Sequence, residues 1–307
     1  MQKPYRVSFS KPAIKLSRER PSWSRFSFTP AKHHLFRIFY GAQVYSRWLN
    51  MPPFYIELFE ARADTQFRIH YEVLEKQHFL FFMLQGCVNV QTPEGFYVCY
   101  AGRGQYSFHA QASGKYVMPL SEGKYTALCI VISPEWLRFF SEDQSELRNF
   151  LTAPTTQYDA LPYCRIDPET ADRLKALYAG ASKGAAVLDG TLRYYISLIL
   201  EQYGVSAGER LKTLPYLLRN YLDDHYRQPD LSQSRLAQHF QVTERTLRDR
   251  FKTEFNTTPH HYYTCRRISY ALDLLRQQDT SLGKIYHEAG YNDESTFRYE
   301  MKRFGLL

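Results

Sequence analysis

Polar and apolar side chains alternate at helical spacing in the stretch LSQSRLAQHFQVTERTLRDRFK (231–252). Leu247, Phe251 and Phe255 lie four residues apart, so they share one face of a predicted helix. The opposite face carries Glu244, Arg245, Arg248, Asp249 and Lys252. An arginine can donate two parallel hydrogen bonds to a guanine edge, and a lysine can neutralise a phosphate. This pattern is therefore typical of a surface that contacts DNA.

The same pattern returns about 49 residues later in SLGKIYHEAGYNDESTFRYEMK (281–302). Gln241 in the first copy and Gly290 in the second are predicted to lie in a turn between two short helices. The free face of the second copy offers Glu294, Ser295, Arg298, Tyr299 and Lys302. Two short helices joined by a turn predict a helix-turn-helix, whose second helix fits the DNA major groove.

A longer helix is predicted between the two copies, over residues 258–276. Its length of about 28 Å is close to the roughly 34 Å of one duplex turn. Both second helices could then enter successive major grooves, and one chain could read a bipartite site. For Arg245, Arg248 and Arg298 individually, a phosphate contact or simple exposure to solvent stays the alternative to base contact.

Residues 209–307 resemble the AraC/XylS-type DNA-binding domain. The resemblance rests on LAQHFQVTERTLRDRFKTEFNTTP (236–259), RRISYALDLL (266–275) and SLGKIYHEAGYNDESTFRYEMKRFG (281–305). It implies a transcription regulator, usually an activator that contacts RNA polymerase, with an N-terminal cupin-like β-barrel that senses a small molecule and assists dimerisation. The base-contacting positions that it implies are Arg245, Arg248, Asp249, Ser295, Arg298 and Tyr299.

The second copy departs from the family pattern at three points. Met301 stands where a phenylalanine is expected, and Tyr286 stands where the first copy has the small Ala237. The stretch from Phe297 to Gly305 is also one residue shorter than its counterpart in the first copy. Whether the second copy reads bases is therefore open from the sequence alone.

Residues 41–164 have the pattern of a β domain. Short β-rich runs, separated by turn signals, occur at YIELFE (55–60), FLFFML (79–84), CVNVQT (87–92), FYVCY (96–100) and YTALCIVI (125–132). Such closely spaced strands favour an antiparallel sandwich or barrel. The predicted fold class is thus α+β multidomain: an antiparallel β domain followed by helices, and then an all-α double helix-turn-helix domain.

The β domain carries many aromatic residues and three histidines, His70, His78 and His109. The aromatic side chains either line an apolar ligand cavity or pack the core. The paired histidine spacing of a catalytic metal-binding cupin is missing, and no other enzyme motif occurs. We therefore predict no catalytic residue, cofactor or metal. The alternative is a small-molecule-binding or enzymatic cupin whose helical tail is an interaction module, and sequence-specific DNA binding distinguishes the two.

Residues 165–205 are predicted to form a helical dimerisation or connector region. Leu188, Leu192, Tyr195 and Ile199 recur at four- and three-residue spacing. This stripe is either a coiled-coil seam between two copies of the chain or a face that packs on the β domain. The small residues at 205–208 suggest a linker.

Charge is unevenly distributed along the 307 residues, whose formal net charge is +8. Residues 1–40 contain nine Lys or Arg against Glu19 alone, so this segment carries the whole excess. It is predicted to be a basic, partly mobile arm that contacts phosphates, folds over the barrel or is disordered. Five scattered cysteines and the lack of a long apolar run favour a cytoplasmic protein with no membrane partner.

Overall fold

The computed structural model describes residues 3–143, 148, 150–151, 158–179, 184–277 and 282–307. The chain divides into two compact units. The β unit comprises Met1–Val90 and Ala101–Arg210, and the helical unit comprises Gln91–Tyr100 and Leu211–Leu307. The helical unit is therefore discontinuous in sequence, whereas a single boundary near residue 209 was expected.

The strands of the described residues follow in chain order. They are β1 (Tyr5–Phe9), β2 (Lys15–Ser17), β3 (His33–Phe39), β4 (Ala42–Met51), β5 (Phe54–Ala63), β6 (Phe67–Val73), β7 (Gln77–Gln85), β8 (Val88–Gln91), β9 (Tyr97–Ala101), β10 (Gln105–Gln111), β11 (Gly114–Leu120), β12 (Gly123–Ile132), β13 (Tyr158–Ala160) and β14 (Cys164–Arg165).

These strands form two sheets. The smaller sheet has the order β1-β6-β11-β8-β9, and the larger has the order β13-β10-β7-β12-β5-β4-β3-β2 with β14 paired to β10. The pairs with a recorded register are antiparallel, and one of the two longest, between β5 and β12, runs from Ala63 opposite Gly123 to Phe54 opposite Ile132. An antiparallel β region followed by helices is thus confirmed.

The larger sheet is covered on both faces. One face packs on the smaller sheet, where Val44 and Ala61 meet Phe67 and Ile69. The other face carries Leu58, Leu80 and Leu128 and packs on helices. Because these central strands are buried on both sides, their sequences are almost continuously apolar instead of alternating.

Among the described residues of the β unit, the longer helices are α1 (Pro134–Phe140), α2 (Pro168–Ala179) and α3 (Ala185–Leu211). Leu188, Leu192 and Ile199 on α3 are buried in the core that the larger sheet forms with the helices. The stripe therefore packs on the β unit, and the coiled-coil alternative for these residues is wrong. None of the described helices combines the length and apolarity needed to span a bilayer.

The linker predicted at residues 205–208 is also wrong. Helix α3 continues without interruption to Leu211, and Ala207 is buried against the core. Small residues are common in flexible linkers, but here a small side chain permits close packing of the helix on its neighbours.

The basic segment 1–40 is ordered where it is described, which differs from the partly mobile arm that was predicted. It supplies three strands: β1 pairs with β6, β2 pairs with β3, and β3 pairs with β4. Of the three alternatives left open by the sequence, folding onto the sheets is the one observed. The segment is rich in prolines and charged residues, so the alternation of polar and apolar residues in these short strands is not evident in the sequence.

Two buried glutamates on β5 hold this segment from opposite faces of the sheet. The Glu57 carboxylate accepts hydrogen bonds from the Tyr5 hydroxyl at 2.6 Å and the Tyr55 hydroxyl at 3.0 Å, and it pairs with Lys3 at 3.3 Å. The Glu60 carboxylate accepts the Ser24 hydroxyl at 2.6 Å and pairs with Arg47 at 2.6 Å. Part of the N-terminal charge is therefore neutralised within the β unit.

The helical unit contains six helices in its described residues. They are α4 (Leu214–His225), α5 (Gln233–His239), α6 (Glu244–Phe255), α7 (Pro259–Gln277), α8 (Leu282–Ile285) and α9 (Glu294–Arg303). Helix α7 agrees within one residue at each end with the helix predicted over 258–276, and α8 ends just before Tyr286. Tyr286 is only half-buried where the smaller Ala237 is buried, so the bulky side chain does not enter the equivalent position.

Candidate nucleic-acid interface

The turns of the two helix-turn-helix units are built alike. Gln241 has φ +53° and Gly290 has φ +89°, and the two residues are 49 positions apart. After each turn an amide donates to a carbonyl five residues earlier, from Val242 to Ala237 and from Tyr291 to Tyr286, both at 3.0 Å. The repeat seen in the sequence is thus a repeat of backbone geometry.

Each second helix begins at an N-cap residue whose side chain accepts a backbone amide. Thr243 caps α6 by accepting the Thr246 amide at 3.1 Å, and Asp293 caps α9 by accepting the Thr296 amide at 2.7 Å. The N-cap side chains satisfy donors that a helix start leaves unpaired. The caps fix where each helix starts, and so which residues face outward.

The inner faces of the two units pack into separate cores. Leu236, Leu247 and Phe251 lie in the first core, and Ile285 and Phe297 lie in the second. Met301 is buried at the position equivalent to Phe251 and fills the second core in its place. The replacement that distinguished the second copy is thus an apolar substitution inside the core.

The outer face of α6 presents three of the predicted site residues together. The side chain of Arg245 is 86% exposed and that of Arg248 is 47% exposed. The Asp249 carboxylate lies between them, 3.6 Å from each Nε atom. Because Asp249 contacts both guanidinium groups, it orders two long side chains that would otherwise be free to rotate. Glu244 and Lys252 are also exposed.

On the outer face of α9, two of the predicted site residues have close partners. Glu294 pairs with Arg298 at 2.6 Å, and the Ser295 hydroxyl donates to the Asp293 cap at 2.5 Å. The hydrogen bond from Ser295, together with those from Thr296, lowers the pKa of the Asp293 carboxyl. Ser295 therefore belongs to the helix cap, while Tyr299, 64% exposed, and Lys302 point to solvent.

Two exposed cations on these helices were not among the predicted residues. Arg250 on α6 and Arg303 at the end of α9 are both exposed, and Arg303 pairs with Glu300 at 3.1 Å. Their exposure makes both available to a partner at the surface. The prediction covered one set of positions on each helix, so these neighbouring cations were missed.

The long helix α7 carries both units. Its buried Tyr263 packs in the first core, and its buried Ile268 and Ala271 pack in the second. The helix has 19 residues, as predicted, and so measures about 28 Å. The predicted length of the connecting helix is thus confirmed.

Arg267 fixes α7 to the loop that precedes the first helix-turn-helix. Its guanidinium donates to the carbonyls of Tyr226 at 2.6 Å and Gln228 at 2.7 Å. It also lies over the rings of Tyr263 and Tyr291, 4.8 and 5.3 Å from their centroids. Arg267 is buried, and burial lowers its pKa. One cation thus contacts both units.

The histidines of the β unit do not assemble a metal site. Burial lowers the pKa of His78 to about 4 and that of His109 to about 3, so both rings are neutral at pH 7. They project from β7 and β10 on opposite faces of the sheet, because Phe79 is the cross-strand partner of His109. Within the part of the chain that the structure describes, no group of three histidine, cysteine or acidic residues could hold a metal ion.

The model of a helix-turn-helix domain family matches residues 236–305, which span both units and the helix between them. The C-terminal part of the chain is an AraC-type helix-turn-helix domain.

Curated relatives of this AraC-type domain are bacterial regulators. The chain is 29% identical over 99 residues to the HTH-type transcriptional regulator CdhR of Pseudomonas aeruginosa, covering 32% of this chain and 28% of that protein. It is 29% identical over 87 residues to the HTH-type transcriptional activator RhaS of Escherichia coli, covering 28% of this chain and 31% of that protein. The chain therefore matches less than a third of the length of these relatives.

Solved structures similar to the chain include the C-terminal domain of AraT, a response regulator from Geobacillus stearothermophilus. That likeness has 25% identity and a TM-score of 0.30, over 31% of this chain and 78% of AraT's domain. The AraC-like transcriptional activator CuxR matches at 11% identity with a TM-score of 0.34, over 81% of this chain and 86% of CuxR. Scores this low add nothing to what the AraC-type domain itself shows.

Proposed function

We propose that this protein is a transcription regulator that binds a bipartite site in double-stranded DNA through α6 and α9. The observation that carries the proposal is the pair of capped helices with outward arginines, joined by one 19-residue helix. In this proposal the first unit supplies most of the sequence reading, because Arg245 is 86% exposed with a contact of 3.6 Å to Asp249, whereas Arg298 pairs with Glu294 at 2.6 Å.

Recognition would begin with phosphate contacts and end with base contacts. In this proposal Lys252, Arg250 and Lys302 neutralise phosphates, and these contacts orient the helices over the grooves. Arg245 and Arg248 can then each meet a guanine edge with two hydrogen bonds, while Asp249 holds them in a common orientation. Tyr299 offers a ring and a hydroxyl to the second groove.

We further propose that a small molecule binds between the two sheets of the β unit and regulates DNA binding. Support comes from a cluster of polar groups in this apolar layer: Glu57, Tyr5, Tyr55 and Lys3. Polar groups buried together can be exchanged for those of a ligand, which gives selectivity. A ligand that favours one state of the β unit would thereby shift the population of DNA-binding molecules.

A homodimer in the cytoplasm that activates transcription with RNA polymerase completes the proposal. Its support in the chain is the outer face of α3, where Val187, Tyr194 and Val205 are 49%, 60% and 74% exposed. At 100° per residue these three positions fall within about 20° of one another, on the side away from the buried stripe. Sedimentation of Tyr194→Glu against wild type tests this face: the variant should be monomeric at concentrations where wild type is dimeric.

A randomised-site selection with the full chain tests DNA reading directly. The expected result is enrichment of one bipartite sequence, with its two elements about one duplex turn apart. Competition at rising salt should leave this sequence bound after random DNA has dissociated. Failure to enrich any sequence would overturn the proposal and favour a ligand-binding protein whose helical unit contacts another protein.

A further inference from the structure

The tip of the β8–β9 hairpin belongs to the helical unit and not to the β unit. Residues 91–100 group with residues 211–307, although they lie more than 100 positions earlier in the chain. The turn is closed by hydrogen bonds from the Thr92 amide to the Phe96 carbonyl and from the Gly95 amide to the Thr92 carbonyl, both 2.9 Å. A closed turn of this kind presents the next two residues in a defined direction.

Phe96 enters the core of the second helix-turn-helix unit. It is 4% exposed and is one of the buried residues of the core that contains Ile285 and Phe297. Its ring lies 4.9 Å from the ring of Phe304, centroid to centroid. Phe304 is the C-cap of α9, so Phe96 contacts the residue that ends the second recognition helix.

Tyr97 packs against both cores. Its ring lies 6.1 Å from that of Tyr262, which belongs to the first core, and its side chain also packs against the second. Of the partly buried apolar residues that the structure describes around the two cores, Tyr97 is the one common to both. Two adjacent hairpin residues therefore touch both helix-turn-helix units.

The hairpin follows one face of α7. Tyr262 meets Tyr97 near the start of the helix, and Arg276 pairs with Glu94 at 3.8 Å near its end. At 100° per residue, positions 262 and 276 lie within about 40° of each other and are about 21 Å apart along the axis. The contact thus extends over most of the length of the helix that joins the two units.

Arg267 lies on the other side of α7, about 140° from Tyr262 around the helix. There it holds the carbonyls of Tyr226 and Gln228 and contacts the ring of Tyr291. The hairpin therefore contacts one side of α7 and the Arg267 partners contact another. Contacts on two sides restrict rotation and bending of the helix more than contacts on one side.

We infer that Phe96 and Tyr97 are positioning residues that fix the orientation of α9 relative to α6, and with it the spacing between the two DNA elements that the chain accepts. The inference rests on the proposed function and deepens it, since it assigns part of the DNA specificity to residues that do not touch DNA. Half-site spacing is a geometric property of the protein that holds the two recognition helices. Removing the hairpin side chains loosens that geometry and leaves each recognition surface intact.

The experiment compares full-length wild type with Phe96→Leu, Tyr97→Leu and the double variant on labelled duplexes. The two elements of the selected site are separated by the selected spacer or by spacers one and two base pairs longer or shorter, and binding is followed by fluorescence anisotropy. Wild type should favour one spacer by about tenfold or more, within the range of coupling between sites. The double variant should bind all spacers with similar affinity and should keep wild-type affinity for a duplex that holds the first element alone.

Phe139→Leu is the matched control, because Phe139 is an aromatic residue that is 74% exposed and lies in the β unit. It should retain the wild-type spacer preference. A double variant that keeps this preference as well, while binding the first element normally, overturns the inference and leaves the proposed function standing. Wild type that selects no sequence overturns the proposed function itself. Loss of helical circular dichroism in the double variant would mean that it does not fold. In that case the spacer preference is compared for the two single variants and for Glu94→Ala, which removes the partner of Arg276.

Discussion

At the residue scale, exposure and partners distinguish side chains that the sequence places together. Arg245, Arg248 and Arg298 have the same chemistry and were assigned the same role. The structure shows Arg298 held by Glu294, and Ser295 engaged in the Asp293 cap. Arg245 keeps only a long contact to Asp249, at 3.6 Å. The sequence shows which residue type lies on which face of the helix. The side-chain conformation of a neighbouring acidic residue decides whether an arginine on that face is already paired.

Arg245→Ala should weaken binding to the selected site by about 1–3 kcal/mol, because it removes a donor pair to a base edge. Affinity for random DNA should change much less, since a single cation contributes one of several phosphate contacts. Anisotropy titrations on both duplexes measure the difference. Arg138→Ala is the control, because Arg138 is 73% exposed in the β unit. Equal losses on the two duplexes would show that Arg245 contacts phosphate only.

His78 gives the β unit a dependence on acid pH. Its folded pKa of about 4 lies below the ordinary value of 6.5, so the unfolded chain binds the proton more readily. Stability is therefore complete above pH 6.5 and falls by about 1.4 kcal/mol per pH unit as the pH drops towards 4.

His78→Leu should make the denaturation midpoint less sensitive to pH between 6.5 and 4, because no proton is taken up at this position. Urea titrations followed by tryptophan fluorescence give the comparison, since Trp23, Trp48 and Trp136 all lie in the β unit. His109 still contributes to the dependence in both proteins through its own lowered pKa. A variant whose midpoint falls as steeply as that of wild type contradicts the assignment.

At the element scale, periodicity predicted the helices of the C-terminal domain and the strands β5, β7, β8, β9 and β12. The strands β1 to β4, β6, β10, β11, β13 and β14 were not predicted. Most of these are short or carry charged side chains, and their partner strands determine them. The same reasoning explains why residues 205–208 were misread, since a helix that packs on a sheet overrides the local preference of small residues.

The turn of the second unit depends on Gly290. A Cβ atom at this position would lie 2.8 Å from the backbone of Arg227, and φ is +89°. Gly290→Ala should therefore destabilise the helical unit by about 3 kcal/mol, from backbone strain and overlap together. Far-ultraviolet circular dichroism during thermal unfolding measures the loss.

Gly305→Ala is the matched control. Gly305 has φ +69°, but nothing lies within 4 Å of the position its Cβ would take. This substitution should cost about 1–2 kcal/mol, the price of a left-handed backbone alone. Equal effects of the two alanines would mean that the contact with Arg227 contributes nothing.

The N-terminal segment should stabilise the β unit through Glu60. Glu60→Gln leaves the buried Arg47 without its ion partner, and the loss of one member of a buried pair costs about 3–5 kcal/mol. Tryptophan fluorescence in a urea titration reports this unit. The control Glu135→Gln breaks the exposed pair with Arg138, so it should change stability by less than about 1 kcal/mol.

At the scale of the whole molecule, the location of the charged residues says more about DNA recognition than the net charge does. Residues 208–307 carry a formal charge of only +3, so arginine placement and not bulk field supports DNA recognition. The basic N-terminal segment pairs partly with carboxylates of its own unit, through Lys3 and Glu57 at 3.3 Å and Arg6 and Glu72 at 3.9 Å. No sequence pattern reveals such partners, because they lie 54 and 66 residues away in the chain.

Residues 211–307 expressed alone should be less stable than the same residues within the full chain. The fragment lacks Phe96 and Tyr97, so Phe304 and Tyr262 lose apolar contacts. Each kcal/mol lost lowers the melting temperature of a domain this size by about 4–8 °C. Calorimetry of the fragment and the full chain measures the difference. Adding a peptide of residues 88–101 to the fragment should recover part of it, and no recovery would contradict the role given to the hairpin.

The discontinuity of the helical unit affects how hybrid regulators could be built from it. A gene fusion that joins a foreign sensor at residue 211 transfers the two DNA-contacting helices but leaves the hairpin behind. Such a hybrid would be expected to bind DNA and to tolerate operators that the parent rejects. Recombination during evolution has the same difficulty, because a crossover at the start of the C-terminal segment transfers residues 211–307 without the hairpin. A sensor exchanged into this protein would have to bring a hairpin with two aromatic residues of its own.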